Sequence, residues 1–315
     1  MDVVALGELL IDFTCVSTDN DGYPTMAAHP GGAPANFLAA LAKFGAKAGL
    51  IGKVGNDAFG KVLLSTLQNA GISTEGMIVD DDFFTTLAFV TLDETGNREF
   101  SFARKPGADT QIAEEDIPYK LIDEAKVFHF GTLSLTDEPA RSATRKAVAY
   151  AKSKGKLITY DPNLRKPLWK DLETAKEQII WGLAQADVVK ISDEEVEFLW
   201  GLGVQEGARY ILDNFGVKLV FVTCGADGCY FANALASGKE PSLTNIQVKD
   251  TTGAGDIFGG SAVWKLLQLD KAPQSLNEAE VRSVVRFACT AAGLSTTRSG
   301  GISSVPEYAE VMERL

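Results

Sequence analysis

The sequence predicts an α/β fold: a mainly parallel central sheet flanked by helices, with a small β-sheet lid beside it. Two observations carry this. Short apolar runs alternate with longer stretches of helical period, and one region breaks that rhythm with β-rich segments. Strands buried on both faces read as continuous apolar runs, and strand–helix alternation builds a parallel sheet covered on both sides.

Residues 3–6, 50–54, 127–130, 157–160, 188–191 and 219–223 are the expected buried strands. Residues 34–44, 58–70, 139–154 and 194–199 have apolar positions three and four apart and are the expected helices; Phe37, Leu38, Leu41 and Phe44 show the stripe. Gly45, Gly71 and Gly155 follow three of these helices, where a left-handed residue ends the last turn. Residues 83–93 and 98–103 read as a hairpin about Glu94-Thr95-Gly96-Asn97, and residues 11–15 and 25–28 as a second pair about 19–23. This half-exposed sheet is either a lid over a site or a plain edge extension. The expected organisation is one domain, 1–315, with a lid from about 12–30 and 84–105 inserted in it.

Composition excludes several classes. Of 315 residues, 45% are apolar and 23% charged, as in ordinary globular proteins, and the net charge of −12 opposes a nucleic-acid or anionic membrane partner. It does not oppose a nucleotide, because backbone N–H groups bind phosphate locally. Cys15, Cys224, Cys229 and Cys289 lack CxxC spacing and only His29 and His129 could join them, so zinc and disulfides are not expected. Acids near the N-terminus, where a signal peptide carries bases, and the lack of an apolar run near ~18 residues give a cytoplasmic expectation.

The stretch Asp250-Thr251-Thr252-Gly253-Ala254-Gly255-Asp256 follows a strand-like 246–248 and opens an apolar-periodic helix. Small residues there let backbone N–H groups approach an anion, and the helix start adds partial positive charge. Asp256 could take a proton from an attacking hydroxyl, or simply cap the helix. In Gly31-Gly32-Ala33-Pro34-Ala35-Asn36, two glycines permit a tight bend, and the Asn36 amide suits a sugar hydroxyl unless this is a plain loop-to-helix junction. No GxGxxG follows the first strand and no GxxxxGK[ST] occurs, which disfavours a dinucleotide oxidoreductase and a P-loop NTPase.

Gly31-Gly32 with Asn36, and the run to Asp256 followed by Phe258 and Gly259-Gly260, resemble the two signatures of PfkB-type, ribokinase-like carbohydrate kinases. Further pieces match in order: Gly7-Glu8 with Asp12, Asp161-Pro162-Asn163-Leu164-Arg165, Ser192 with Glu195, and Thr223-Cys224-Gly225 with Gly228. The resemblance implies a three-layer sandwich with a β lid and transfer of the ATP γ-phosphoryl group to a sugar hydroxyl with Mg²⁺. It implies Asp256 as base, Gly253, Ala254 and Gly255 as anion hole, and Asp12, Gly31, Gly32 and Asn36 on the sugar. Lys190, Glu195, Thr223, Gly225, Gly228, Ala288 and Cys289 fall to the nucleotide, with Glu195 helping to place Mg²⁺. Ser192 stands where the family's Asn-x-x-Glu motif has Asn. Arg165 would meet phosphate or sugar, or else form a surface ion pair. Asp250 and Thr252, with carbonyls near 296–301, resemble a site for a monovalent cation such as K⁺.

Three stretches resemble fructokinases: Phe102-Ala103-Arg104-Lys105-Pro106-Gly107-Ala108-Asp109, residues 125–131 and residues 160–169. They imply Arg104 on the sugar from the lid, with Phe100 or Phe102 offering a ring face or merely alternating in a strand. His129 is expected to end a buried strand. Kinases of 2-keto-3-deoxygluconate, ribose or an aminoimidazole riboside would share Asp256, and a sugar- or nucleotide-binding protein without catalysis is the rival from another class. The expected partners are a small sugar and ATP, with a homodimer through the lid.

Overall fold

The computed structural model describes residues 1–92 and 98–315. In chain order, β1 (Val3–Leu6) leads to β2 (Leu10–Thr18), β3 (Pro24–Gly31), α1 (Ala33–Lys43), β4 (Ala48–Gly55), α2 (Ala58–Asn69) and β5 (Ile72–Asp80). Then come β6 (Leu87–Leu92), β7 (Arg98–Ala103), α3 (Tyr119–Glu124), β8 (Val127–Gly131), α4 (Ala140–Ser153) and β9 (Leu157–Asp161). These are followed by α5 (Leu172–Leu183), β10 (Val188–Ser192), α6 (Asp193–Trp200), α7 (Val204–Phe215) and β11 (Leu219–Thr223). The last part holds β12 (Cys229–Asn233), β13 (Ser237–Glu240), α8 (Ala254–Leu269), α9 (Glu278–Ser295) and α10 (Tyr308–Met312).

Among the described residues the strands form two sheets, one of nine strands in the order β13-β12-β11-β10-β9-β8-β1-β4-β5 and one of four in the order β3-β2-β6-β7. The large sheet is parallel from β11 through β5, and only the β12–β13 edge is antiparallel. Its two faces separate within single strands, as a period of two requires. In β1, Val3 and Ala5 join a core with α1, α2, α8 and α9, while Val4 and Leu6 join another with α3 to α7. This is the expected three-layer sandwich.

All six expected strands of the large sheet are present, and so are the four expected helices. Gly45, Gly71 and Gly155 have left-handed φ of 89°, 75° and 68°. The two expected β pairs form one small sheet, joined by parallel pairing of β2 with β6. The turn expected at 94–97 lies outside the described residues. One expectation is corrected: 246–248 is not a strand. The β12–β13 hairpin already occupies that edge of the sheet, and Lys249 and Asp250 donate their N–H groups to the Thr296 carbonyl instead.

The connections set the site. β1 lies between β4, reached by way of the small sheet and α1, and β8, reached only after β5 has been laid down on the far side. The chain order therefore reverses at β1, and in open α/β sheets ligands bind outside the carboxyl ends of strands at such a point.

Candidate active site

The chain leaves β1 at its carboxyl end, through Gly7 and Glu8, and enters the small sheet. Glu8 is buried and its Oε1 accepts the Ala33 N–H at 2.8 Å, so a carboxylate caps the start of α1. Burial pushes its carboxyl up to about 7. Two residues into β2, Asp12 faces Gly31, where a Cβ would lie 2.2 Å from Asp12 Oδ2. Glycine is required there for room. Burial pushes Asp12 up to about 6, while the Arg165 guanidinium pulls it down.

The second half of the site comes from α8. Gly253 takes a left-handed φ of 75° at its N-cap, and no side chain caps the start of the helix; the Ala254 N–H turns back to the Thr251 carbonyl at 3.3 Å. Asp256, in that first turn, makes no capping bond; its Oδ2 accepts Asn36 Nδ2 at 2.9 Å. Glycine makes this meeting possible as well. A Cβ on Gly260 would sit 2.2 Å from the Phe37 carbonyl, so its absence lets α1 and α8 pack backbone to backbone and brings Asn36 to Asp256. Burial raises the Asp256 carboxyl above the usual range, while Lys190, Asn36 and Arg165 draw it down.

The floor is made by β9 and β10. Lys190 Nζ lies 3.0 Å from Asp161 Oδ2, and a Cβ on Gly255 would come within 3.0 Å of that ammonium. Burial pushes Asp161 up to about 7, with Lys190 opposing. Ser192 and Glu195 form a capping box on α6: Ser192 Oγ accepts the Glu195 N–H, and Glu195 Oε2 accepts the Ser192 N–H. Glu195 Oε1 accepts the Leu164 N–H at 2.7 Å. A serine at 192 thus has a structural role, and Glu195 joins α6 to the loop carrying Arg165.

These elements enclose a cleft of about 150 Å³ whose walls include Asp12, Asn36, Phe102, Arg165, Gly253 and Asp256. A second, of about 200 Å³, is lined by Lys190, Ser192, Glu194, Glu195 and Phe198. Asn163 and Arg165 line both, so the two clefts meet there. Gly31, Ala254 and Gly255 line neither cleft themselves, though each is next in sequence to a residue that lines the first. Thr223 pairs across the sheet with Ser192, which lines the second cleft, and the turn of Gly225 and Gly228 follows it; none of the three lines that cleft itself. Asp250 Oδ1 accepts the Thr252 N–H and hydroxyl, and Oδ2 accepts the Gly300 N–H, bringing 250–252 against 296–300.

Three expected contributors sit elsewhere. Arg104 is buried with Nε and Nη2 donating to Asp109 at 2.8 and 2.7 Å, and with Thr136 and the Leu133 carbonyl each 2.8 Å away. Leu133 and Phe102, rather than Arg104, line the first cleft. Ala288 and Cys289 pack in the core behind β11 and line neither cleft. The Phe100 side chain lies outside the described residues. His129, stacked on Phe37 at 3.7 Å and pushed down to about 3 by burial, is a neutral core residue in the middle of β8 rather than at the end of the strand. The sequence reading missed Glu8, Thr14, Val90 and Asn163 as lining residues. Thr14 was within reach, because Leu10, Asp12 and Thr14 alternate onto one face of β2.

A buried base, helix-terminal N–H groups and cations meeting where two clefts join can activate a hydroxyl and steady a phosphoryl group between two substrates. On this sheet they define a small-molecule kinase. Residues 1–308 match the model of the pfkB family of carbohydrate kinases, and the chain belongs to that family. It is 40% identical over 317 residues to probable fructokinase-4 of Arabidopsis thaliana, covering 99% of this chain and 96% of that one. A fructokinase of Xylella fastidiosa with bound ATP superposes with a TM-score of 0.90 at 30% identity, covering 99% of this chain and 97% of that one. A fructokinase of Vibrio cholerae O395 in a fructose-, ADP- and calcium-bound form gives 0.89 at 32% identity, covering 100% and 99%.

Proposed function

We propose that the chain is an ATP-dependent fructokinase, with fructose 6-phosphate and ADP as products. The observation that carries the reading is Asp256, a buried carboxylate with raised basicity, held by Asn36 on the wall of the smaller cleft. Fructose occupies that cleft against Asp12, Gly31, Gly32, Asn36 and Phe102. ATP occupies the second, with Lys190, Glu195, Thr223, Gly225 and Gly228 on its side. As the sugar oxygen bonds to the γ-phosphorus, its proton passes to Asp256, and the bond from the γ-phosphorus to the β-phosphate bridge breaks to release ADP. Backbone N–H groups of Gly253, Ala254 and Gly255, with Arg165, hold the phosphoryl oxygens. The small sheet, about 12–30 and 84–105, acts as a lid that excludes water.

Relatives crystallised with ATP, with ATP and Mg²⁺, and with ADP and calcium support a nucleotide and metal-ion requirement. The donors fit Mg²⁺: Glu194 and Glu195 face the second cleft, and no described cluster of three His, Cys, Asp or Glu could cage a metal. That suits an ion carried mainly by phosphates and water. When bound it neutralises phosphate charge, and Glu195 would help to hold it. K⁺ at Asp250 and Thr252, a cytoplasmic location and a homodimer through the lid belong to the same proposal and rest on the sequence reading. No described helix is long and apolar enough to cross a membrane.

The test is ADP release by the purified chain with ATP and Mg²⁺ against fructose, ribose, glucose, 2-keto-3-deoxygluconate and an aminoimidazole riboside. Fructose should outpace the rest, and Asp256→Asn should fold and bind sugar but turn over at least ~10²-fold more slowly. A faster acceptor would overturn the sugar, and an active Asp256→Asn would overturn the base.

A further inference from the structure

Lys166 is an exposed residue on the wall of the second cleft, and among the described residues it takes part in no ion pair. In a chain with 42 acidic and 30 basic residues, acids to pair it with are not scarce. Its neighbours have theirs: Lys190 lies 3.0 Å from Asp161, and Lys176 lies 3.8 Å from Glu173. Of the two acids on the same wall, Glu195 accepts the backbone N–H groups of Ser192 and Leu164, and Glu194 is exposed.

What holds Lys166 is a ring. Its Nζ stands 5.2 Å from the centroid of Phe198, which lines the cleft as well. Lys176, from α5, stands at the same 5.2 Å from that ring. Phe198 belongs to α6 and packs on the core beneath it, so the seat is fixed. Two ammonium groups from separate elements thus converge on one side chain. The ring attracts each of them, but like charges brought together repel, and an exposed ring offsets only part of that cost. A polyanion in the cleft would offset the rest.

Position says which part of a nucleotide would do so. Arg165 lines both clefts, whereas Lys166, the next residue, lines only the second. Lys166 therefore lies on the nucleotide side of the junction, one residue from the arginine placed on the phosphoryl group. We propose that Lys166, seated on Phe198 and backed by Lys176, is a binding residue for the γ-phosphate of ATP, acting on affinity rather than on the transfer step. The inference rests on the kinase reading above. A lysine is a point charge on a flexible stem, able to follow the phosphate before and during transfer. Binding that is equal in both states sets KM for ATP and leaves kcat alone.

The experiment compares Lys166→Gln, Lys166→Arg and Lys176→Gln with the wild type in the full chain. It uses steady-state kinetics with fructose, and calorimetric titration of ATP and of ADP without sugar, all with Mg²⁺. Lys166→Gln should melt with the wild type and keep kcat and KM for fructose within about twofold. Its KM and Kd for ATP should rise roughly tenfold, the lower end for a charged hydrogen bond, because the ammonium stays in water. Affinity for ADP, which lacks the γ-phosphate, should change less than about threefold. Lys166→Arg should recover most of the affinity, and Lys176→Gln should lose less than Lys166→Gln. Salt screens exposed charge, so rising choline chloride should weaken ATP binding less steeply in Lys166→Gln than in the wild type. Values of KM and Kd for ATP within about twofold of wild type in Lys166→Gln overturn the inference, as does a loss that falls on kcat or equally on ADP. A wild type that binds ATP yet phosphorylates no sugar overturns the kinase reading, and the calorimetric comparison then decides the role of Lys166 alone. A wild type that binds no ATP overturns both.

Discussion

Replacing Gly31 with alanine should disable the sugar cleft without disturbing the backbone at 31. Gly31 has no positive φ, so its conformation admits a side chain. The obstacle is Asp12: the new Cβ would stand 2.2 Å from Oδ2 and 3.3 Å from Cγ, the first 0.8 Å inside the 3.0 Å below which real contacts essentially never fall. The next atom, Leu10 Cδ1 at 3.8 Å, is in ordinary contact. Asp12 must therefore swing away, and a hydrogen bond from sugar to carboxylate is lost. Such bonds contribute ~1.5–3 kcal/mol, or roughly ten- to hundredfold in kcat/KM. The assay is a double-mutant cycle on kcat/KM for fructose with Gly31→Ala, Asp12→Ala and the pair. With the carboxylate gone, the methyl group has nothing to displace, so Gly31→Ala should cost little in the Asp12→Ala background. A coupling of ~1.5–3 kcal/mol is expected. Losses that add within ~0.5 kcal/mol would refute the steric argument, and so would a fully active Gly31→Ala.

Two further perturbations separate structural from catalytic charges. Burial lifts Glu8 from 4.5 to about 7, so between those pH values the folded state holds a proton that the unfolded chain releases. Wild-type stability must then fall as pH rises through that window, and Glu8→Gln, which can still accept the Ala33 N–H, should lose the slope and be more stable at pH 8 by about 2–3 kcal/mol. Urea unfolding at pH 5 and pH 8 reads this, and parallel wild-type and variant values sink it. Arg104→Ala leaves Asp109 buried without its cation and should cost ~3–5 kcal/mol in denaturant unfolding, with KM for fructose changed far less. Near-normal stability with a large rise in KM would restore Arg104 as a direct sugar ligand.

The parts legible in the sequence were those whose cause is local. Residues 3–6 and 219–223 are strands because continuous apolar runs need burial on both faces, and that can be read without knowing the neighbours. Residues 246–248, Ile246-Gln247-Val248, alternate as a half-buried strand would and form none, because edge occupancy is decided by β12 and β13, and local pattern carries no record of it. The site divides in the same way. Glycines at 31, 253 and 260 mark backbone that must bend or approach closely, and the structure has a close approach at each. That Asn36 touches Asp256, 220 residues away, is a property of the α1–α8 packing alone. Arg104 was misplaced because an arginine at the end of a lid strand faces ligand or protein with equal sequence likeness; Asp109, five residues on, decided it.

The site also answers how an acidic chain can receive a polyanion. Glu8, Asp12, Asp161, Glu195 and Asp256 crowd one region, yet few of their charges confront the phosphates. Glu195 accepts two backbone N–H groups, Asp161 is matched by Lys190, and Glu8 caps a helix. What remains toward the first cleft is Asp12 and Asp256, and the environment of Asp256 is balanced between two demands. Burial raises its affinity for a proton, which strengthens it as a base toward a hydroxyl far less acidic than itself. Unopposed, that same burial would leave it protonated and useless at neutral pH. Lys190, Asn36 and Arg165 supply the opposition, drawing the carboxyl back down. On the proposed kinase reading, Lys190, which lies beside Gly255, both opposes the upward pull of burial on Asp256 and would offset phosphoryl charge during transfer.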